Sequence, residues 1–274
     1  MRLYYRISDK SYPKTKLPGA NKEFCLMDFA YAFASVIFTE DDDPPLRIFA
    51  DNCHRTTIKM IAETGLPLAI TAEGNAGSFR KALATAIEEA RPDEIVYFCE
   101  DDYLHRPHAS VLLAEGLERA DYVTLYDHPD KYTSAYDGGE VSQVFKTKSS
   151  HWRQTISTCM TFGAKAKTLA KDIEVFKEFT SGDHPNDHGL FVELGMRCRK
   201  LAVCIPGAAC HTDLTVSGGL NQVAMEPWAI EALIKRFELN LEKMDVEEVC
   251  KGKTGWERLV MLGTLAFETN KSLL

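Results

Sequence analysis

Three acids in a row, Glu100, Asp101 and Asp102, close the apolar run from Ile95 to Cys99. The run is short and rich in β-branched and aromatic residues, the composition of a strand buried in a parallel sheet. Carboxylates crowded at the end of such a strand repel one another and lose hydration, so they call for a compensating cation. A divalent ion bound by oxygen ligands, with a phosphate on its far side, supplies one. The plainer alternative is a solvated acidic turn. Position weighs against it, because in open α/β sheets ligands collect at the carboxyl ends of strands.

Three further groups carry chemistry. His211 lies in a Gly-containing loop just after the last apolar strand. A neutral imidazole there joins carboxylates around Mn²⁺, a borderline ion that accepts both oxygen and nitrogen. His105, His108, His184 and His188 compete with it, but none follows a strand end; an ordinary loop histidine is the alternative. Glu73-Gly-Asn-Ala-Gly77 lets backbone approach a ligand closely, and Arg80, a turn into the next helix, is within reach of a phosphate or of the acids. It matches neither the Walker loop nor the dinucleotide-binding glycine pattern. Asp183-His-Pro-Asn-Asp187-His188 opens a helix. A carboxylate there, Asp187 or else Asp183, suits a general base acting on a hydroxyl across a cleft. Capping of that helix by Asp187 is the competing explanation. No serine nucleophile elbow is present.

These residues need a scaffold, and the chain supplies an alternating one. Strands are expected at Leu3 to Ile7, Leu46 to Ala50, Leu68 to Thr71, Ile95 to Cys99, Tyr122 to Tyr126, Thr158 to Phe162 and Leu201 to Ile205. Helical periodicity runs over Lys22 to Phe38, His54 to Glu63 (capped by Asp51 or Asn52), Ser78 to Ala90, Ala109 to Arg119 and Lys165 to Phe179. Three β-α steps and a fourth strand make the first half of a doubly wound sheet with right-handed crossovers. The long polar connection from Lys10 to Gly19 reads as a binding loop. Asp127 to His151 is polar, with room for a hairpin. Two amphipathic helices, Pro227 to Lys243 and Gly255 to Phe267, end the sequence.

Composition sets the limits. A chain of 274 residues can bury a full core as one large α/β domain or as one domain with an appendage. A net charge of −8 with no Lys/Arg stripe argues against nucleic acid as a partner. The eight cysteines are scattered without a C-x-x-C pair and read as reduced thiols of a cytoplasmic protein. The sequence begins directly on a strand, without an apolar signal core. No apolar run approaches ~18 residues, so no transmembrane segment is expected, while peripheral membrane contact stays open.

In this order the features resemble an A-type (GT-A) nucleotide-sugar glycosyltransferase of the family 2 kind. The likeness spans roughly residues 1 to 213, and its most specific part is Glu100-Asp101-Asp102, similar to the D-x-D metal motif with Glu in first place. It implies a mixed, mostly parallel, Rossmann-like sheet flanked by helices over residues 1–220, and a helical extension over 221–274 packed on it. It implies metal-dependent transfer of a sugar from a nucleotide diphosphate sugar, UDP-linked, to a hydroxyl of a glycan or other acceptor, with inversion. Asp102 would bind Mn²⁺ (or Mg²⁺) directly, with Glu100 and His211 completing the metal site. Asp101 would lie nearer the ribose or donor sugar. Arg6 and Ser8 at the first strand end, and Asp51 at the second, are similar to positions that hold base and ribose. Asn75 and Arg80 would frame the nucleotide. Asp187, with Asp183 second, looks like the base of inverting members, and Trp152 and Tyr132 would face the acceptor. The alternatives are a nucleotidyltransferase, which usually brings a glycine-rich loop after the first strand, and a non-catalytic nucleotide- or sugar-binding module.

Overall fold

The computed structural model describes residues 1–10, 20–37, 43–132 and 139–213. The expected terminal helices, the Gly218-Gly219 turn, the boundary at 220/221 and most of the Lys10 to Gly19 loop lie outside them.

The chain alternates as its periodicity requires: β1 (Arg2–Ser8), α1 (Lys22–Ala32), α2 (Ala34–Ile37), β2 (Leu46–Asp51), α3 (Arg55–Ala62), β3 (Leu68–Thr71), α4 (Gly74–Glu89) and β4 (Ile95–Glu100). Then come β5 (Tyr103–His105), α5 (Ala109–Gly116), β6 (Tyr122–Thr124), β7 (Val144–Lys146) and β8 (His151–Gln154). The described part closes with β9 (Phe162–Lys165), α6 (Ala166–Lys171), α7 (Ile173–Phe179), α8 (Asp187–Met196), β10 (Leu201–Ile205) and β11 (Ala209–His211).

Nine strands form one mixed sheet in the order β3-β2-β1-β4-β9-β6-β10-β8-β7. Its first four are parallel neighbours, and only β8 and β9 run against the rest. Strand β1 is central, with β2 and β4 on either side, and is buried on both faces. Side chains alternate across the sheet. Leu3, Tyr5, Ile7, Tyr97 and Cys99 enter a core with Leu26, Phe29 and Phe33 of α1 and Leu113 of α5. Tyr4, Phe49, Val96 and Phe98 enter the opposite core, under α4 and α6–α8, with Phe79, Leu83, Phe176 and Phe191. The architecture is therefore α/β, a mostly parallel sheet flanked by helices. No helix among the described residues is long and apolar enough to cross a membrane, and none of the seven described cysteines forms a disulfide.

Several elements differ from the sequence expectation. Helix α4 begins at Gly74, a turn before Ser78, because the Asp51 carboxylate accepts the backbone N–H groups of Glu73 and Gly74 at 2.7 and 3.1 Å. Asp51 and Asn52 therefore do not cap α3; its N-cap residue is His54, which makes no side-chain cap hydrogen bond and whose own N–H is taken by Asp9 at 2.7 Å. Thr158 to Thr161 lies outside the ladder, with a bend at Met160, and the strand starts at Phe162. The helix expected from Lys165 to Phe179 breaks at Asp172, whose carboxylate turns aside to Arg199 and Tyr122. The expected hairpin exists as β7 and β8, and β8 also pairs with β10.

Candidate functional site

Period-two alternation decides which residues meet at the carboxyl ends of the parallel strands. Arg6 stands beside Glu100 in register, and both follow the pattern of Tyr4 and Phe98 toward α4. Their proximity is thus a matter of strand parity. The Arg6 guanidinium, only 5% exposed, donates to Glu100 Oε1 at 2.7 Å. Its other terminal nitrogen donates to Asn75 O at 2.8 Å, Asn75 Oδ1 at 3.1 Å and Ser78 Oγ at 3.3 Å, while the Phe79 ring lies 5.3 Å beneath it.

Asp101, 7% exposed, is held by the Lys22 ammonium at the start of α1 and by the Ser8 N–H at 3.1 Å. Asp102 lies past the strand end. There the two-stranded ribbon of β5 and β11 pairs His211 with Tyr103, and Thr212 N donates to Asp102 O at 2.8 Å. That pairing brings His211 Nε2 to 3.1 Å from Asp102 Oδ2, with Tyr103 edge-on to the imidazole at 4.9 Å. Each acid of the triplet thus has its own counterpart: Arg6, Lys22 and His211.

Asp187 opens α8, but Asn186 caps that helix, accepting the Gly189 N–H at 3.0 Å. The Asp187 carboxylate takes the adjacent His188 N–H, at 2.8 Å. Burial pushes its pKa up, against that hydrogen bond. Asp187 lies within the field of the triplet, since burial raises Glu100, Arg6 opposes, and Asp102 and Asp187 raise it further. The half-buried Cys159 thiol is likewise pushed up by burial, then by Asp187 and Glu100. Asp101 is raised by burial and by Asp102, with Lys22 opposing. The loop before α8 is tied to the Gly74–Gly77 turn by Ala76 N donating to Asp183 O at 3.2 Å. Residues distant in sequence, Asn75, Glu100, Asp102, Asp187 and His211, therefore share one end of the sheet.

Other expected site residues are employed elsewhere. Asp51 is buried and its oxygens are saturated: Thr71 Oγ1 at 2.8 Å, Asn52 Nδ2 at 2.7 Å and the two α4 N–H groups fill the roughly four acceptor positions of a carboxylate. It joins β2, β3 and α4 and is not open to a ribose. Arg80 donates to Thr180 O, clamping α4 to the end of α7 instead of reaching a phosphate. Trp152 is 0% exposed, stacks on Phe145 at 6.3 Å and donates to Thr147 Oγ1 at 2.9 Å; it is core and not an acceptor platform. Asp183 is exposed. Tyr132 is 46% exposed and lies under the Arg153 guanidinium at 5.2 Å. Of the competing histidines, His105 is sealed in the core against Tyr97 OH at 2.9 Å.

The metal expectation meets a mixed donor set. Among the described residues no three His, Cys, Asp or Glu side chains stand together as a ready-made metal cage. Asp102 and His211 fit as two ligands of an oxygen-preferring ion that takes its remaining positions from phosphate and water. Glu100 does not fit, being committed to Arg6.

Sequence reasoning passed over Lys22 and a polar group near Asp187, in which Lys131 Nζ donates to Ser157 Oγ at 2.7 Å and His188 Nδ1 lies 3.2 Å from the same oxygen. Lys22 had a signal, since a cation in the first helical turn opposes the helix dipole. The second group had none, because its two contacting pairs are 26 and 31 residues apart.

No family model matches the chain, and no curated protein does. Solved structures do. A galactosyltransferase in complex with donor and acceptor sugar analogues is 11% identical, with 89% of this chain and 97% of that one covered and a TM-score of 0.46. Glucosyl-3-phosphoglycerate synthase from Mycobacterium tuberculosis, in complex with Mg²⁺ and uridine diphosphate, is 14% identical over 85% of this chain and 78% of that one, at 0.46. A nucleotidyl transferase from Methanothermobacter thermautotroptrophicus is 8% identical over 85% and 98%, at 0.41. Likenesses this distant carry no argument about chemistry, which rests on the residues themselves.

Proposed function

We propose that the chain is a metal-dependent glycosyltransferase that moves a sugar from a nucleotide diphosphate sugar, UDP-linked, to an acceptor hydroxyl with inversion. One observation carries the reading: Asp102 and His211 are paired at 3.1 Å at the end of the central sheet, with Asp187, a carboxylate that does not cap its helix and whose pKa burial raises, within the field of Glu100. Arg6 and Lys22 answer Glu100 and Asp101, Asp102 faces His211, and Asp187 adds a further carboxylate within the field of Glu100. That gathering of carboxylates around one imidazole suits a divalent cation.

Asp102 and His211 would hold the cation, which when bound stabilises the negative charge of a departing diphosphate. The protein's own residues do the rest. Asp187, whose raised pKa makes it a stronger base than an ordinary aspartate, takes the proton from the acceptor hydroxyl. The hydroxyl oxygen bonds to the anomeric carbon from the face opposite the diphosphate. The bond from that carbon to the phosphate oxygen breaks, and its electron pair leaves on the oxygen. The Gly74–Gly77 turn and the Asp183 loop, tied together across the sheet end, position donor and acceptor. Tyr132, 46% exposed with Arg153 over its ring, would lie toward the acceptor.

A thermal-shift screen tests the reading. Nucleoside diphosphates and their sugars are added with and without Mn²⁺, since a ligand of the native state raises Tm by mass action. UDP or a UDP-sugar is expected to raise Tm only with Mn²⁺, and Asp102→Asn to abolish the shift. A flat response to every nucleotide overturns it, and release of pyrophosphate from a nucleoside triphosphate redirects it to nucleotidyl transfer.

A further inference from the structure

We infer that Glu100, through Arg6, fixes the amide of Asn75 so that this residue presents hydrogen-bond donors to an acceptor oxygen of the nucleotide, a base carbonyl or a phosphate. The inference rests on the donor-binding reading above and gives Glu100 a positioning role in place of the metal-ligand role its motif suggests.

The argument is one of donors and acceptors. Arginine carries only donors. The Asn75 side-chain atom 3.1 Å from Arg6 Nη1 is therefore the oxygen, which assigns the amide orientation on chemical grounds. The same nitrogen holds the Asn75 backbone oxygen at 2.8 Å, so main chain and side chain are gripped together. Among the described residues no acceptor meets Asn75 Nδ2, and Asn75 is exposed while Ala76, Gly77 and Ser78 behind it are buried. The Asn75 amide therefore shows a ligand two N–H donors, its oxygen being turned to Arg6. Arg6 is held for this task by Glu100 at 2.7 Å on one side and the Phe79 face on the other. The strand register Arg6 to Glu100 makes the pair rigid, and the Asp51 bonds to Glu73 and Gly74 anchor the start of the turn.

The test compares Asn75→Asp, Asn75→Ser, Glu100→Gln and Asp102→Asn with the unmodified protein. UDP binding is measured by calorimetry in Mn²⁺, and Mn²⁺ binding alone by electron paramagnetic resonance. Asn75→Asp keeps the oxygen that Arg6 holds and replaces the donors by an acceptor. It should weaken UDP about tenfold or more, the loss of one hydrogen bond plus a repulsion, while leaving Mn²⁺ affinity and Tm unchanged. Asn75→Ser, which removes the amide without adding charge, should weaken UDP in the same direction. Glu100→Gln should keep Mn²⁺ affinity and weaken UDP, whereas Asp102→Asn loses Mn²⁺. An Asn75→Asp penalty already present with uridine assigns the base carbonyl; one present only with UDP assigns the phosphate. Unchanged UDP binding in both Asn75 variants, or loss of Mn²⁺ in Glu100→Gln to the extent seen in Asp102→Asn, overturns the inference alone. Failure of the unmodified protein to bind UDP in Mn²⁺ overturns the donor reading and this inference with it.

Discussion

Replacing Asp187 by asparagine separates chemistry from stability. The substitution preserves shape and keeps an oxygen for the His188 N–H, which the carboxylate accepts at 2.8 Å. It removes the basic site. A positioned general base contributes about 10²- to 10⁴-fold, or about 3–5 kcal/mol of barrier at 1.36 kcal/mol per decade, and kcat should fall by that factor with KM little changed. Stability should move the other way. Burial raises the Asp187 pKa above the ordinary 3.8, so the folded state holds this proton more tightly than the unfolded chain does. The contribution of Asp187 to stability is therefore greatest below the unfolded pKa and is lost as pH rises through the folded one. At neutral pH Asp187→Asn should be the more stable protein by about 0.5–2 kcal/mol, and the gap should close as the pH falls through the raised pKa. Turnover and thermal unfolding recorded as a function of pH, from acid to neutral, give both quantities. A variant that keeps its turnover, or one less stable than the parent at neutral pH, refutes the assignment of Asp187 as a desolvated base.

Other expectations follow from burial and titration. His105 is fully buried and its pKa is pushed down to about 3 from 6.5 by desolvation. Because the unfolded chain takes up the proton first, stability should decline by about 1.4 kcal/mol per pH unit between those values on this residue's account. Urea denaturation against pH should show a flatter acid limb in His105→Gln. Trp152→Ala should cost about 3–5 kcal/mol, as truncation of a fully buried aromatic does, and sugar binding should be unchanged at an equal folded fraction. A Trp152→Ala protein of native stability with a weakened acceptor KM would return that residue to the site.

Much of the scaffold was legible because it depends on local pattern. The apolar runs that became β1, β2, β3, β4 and β10 are short, β-branched and bounded by turn residues, and each lies within a residue or two of its expected place. What failed was decided at a distance. Asp51 was read as a ligand contact because it ends a strand, yet its oxygens are consumed by α4 some twenty residues on. Trp152 offered no sequence sign that it faces inward, since its neighbour in the core is Gly116, where an added Cβ would meet the indole at 2.7 Å. Capping by Asp187 was a fair local expectation until Asn186 took the position. The triplet was conspicuous in the sequence, but its division of labour was not. Arg6, Lys22 and His211 reach the three acids from 94, 79 and 109 residues away, through register, helix start and ribbon pairing respectively.

The measurement that bears most directly on the proposed activity is release of UDP from a panel of UDP-sugars, with Mn²⁺ present and after its removal by chelation. The structure leads us to expect a slow release to water from one donor, accelerated by a hydroxyl acceptor, abolished by chelation and by Asp102→Asn. Release that survives chelation and Asp102→Asn, or no release from any donor, would contradict a metal-dependent sugar transfer centred on Asp102 and His211.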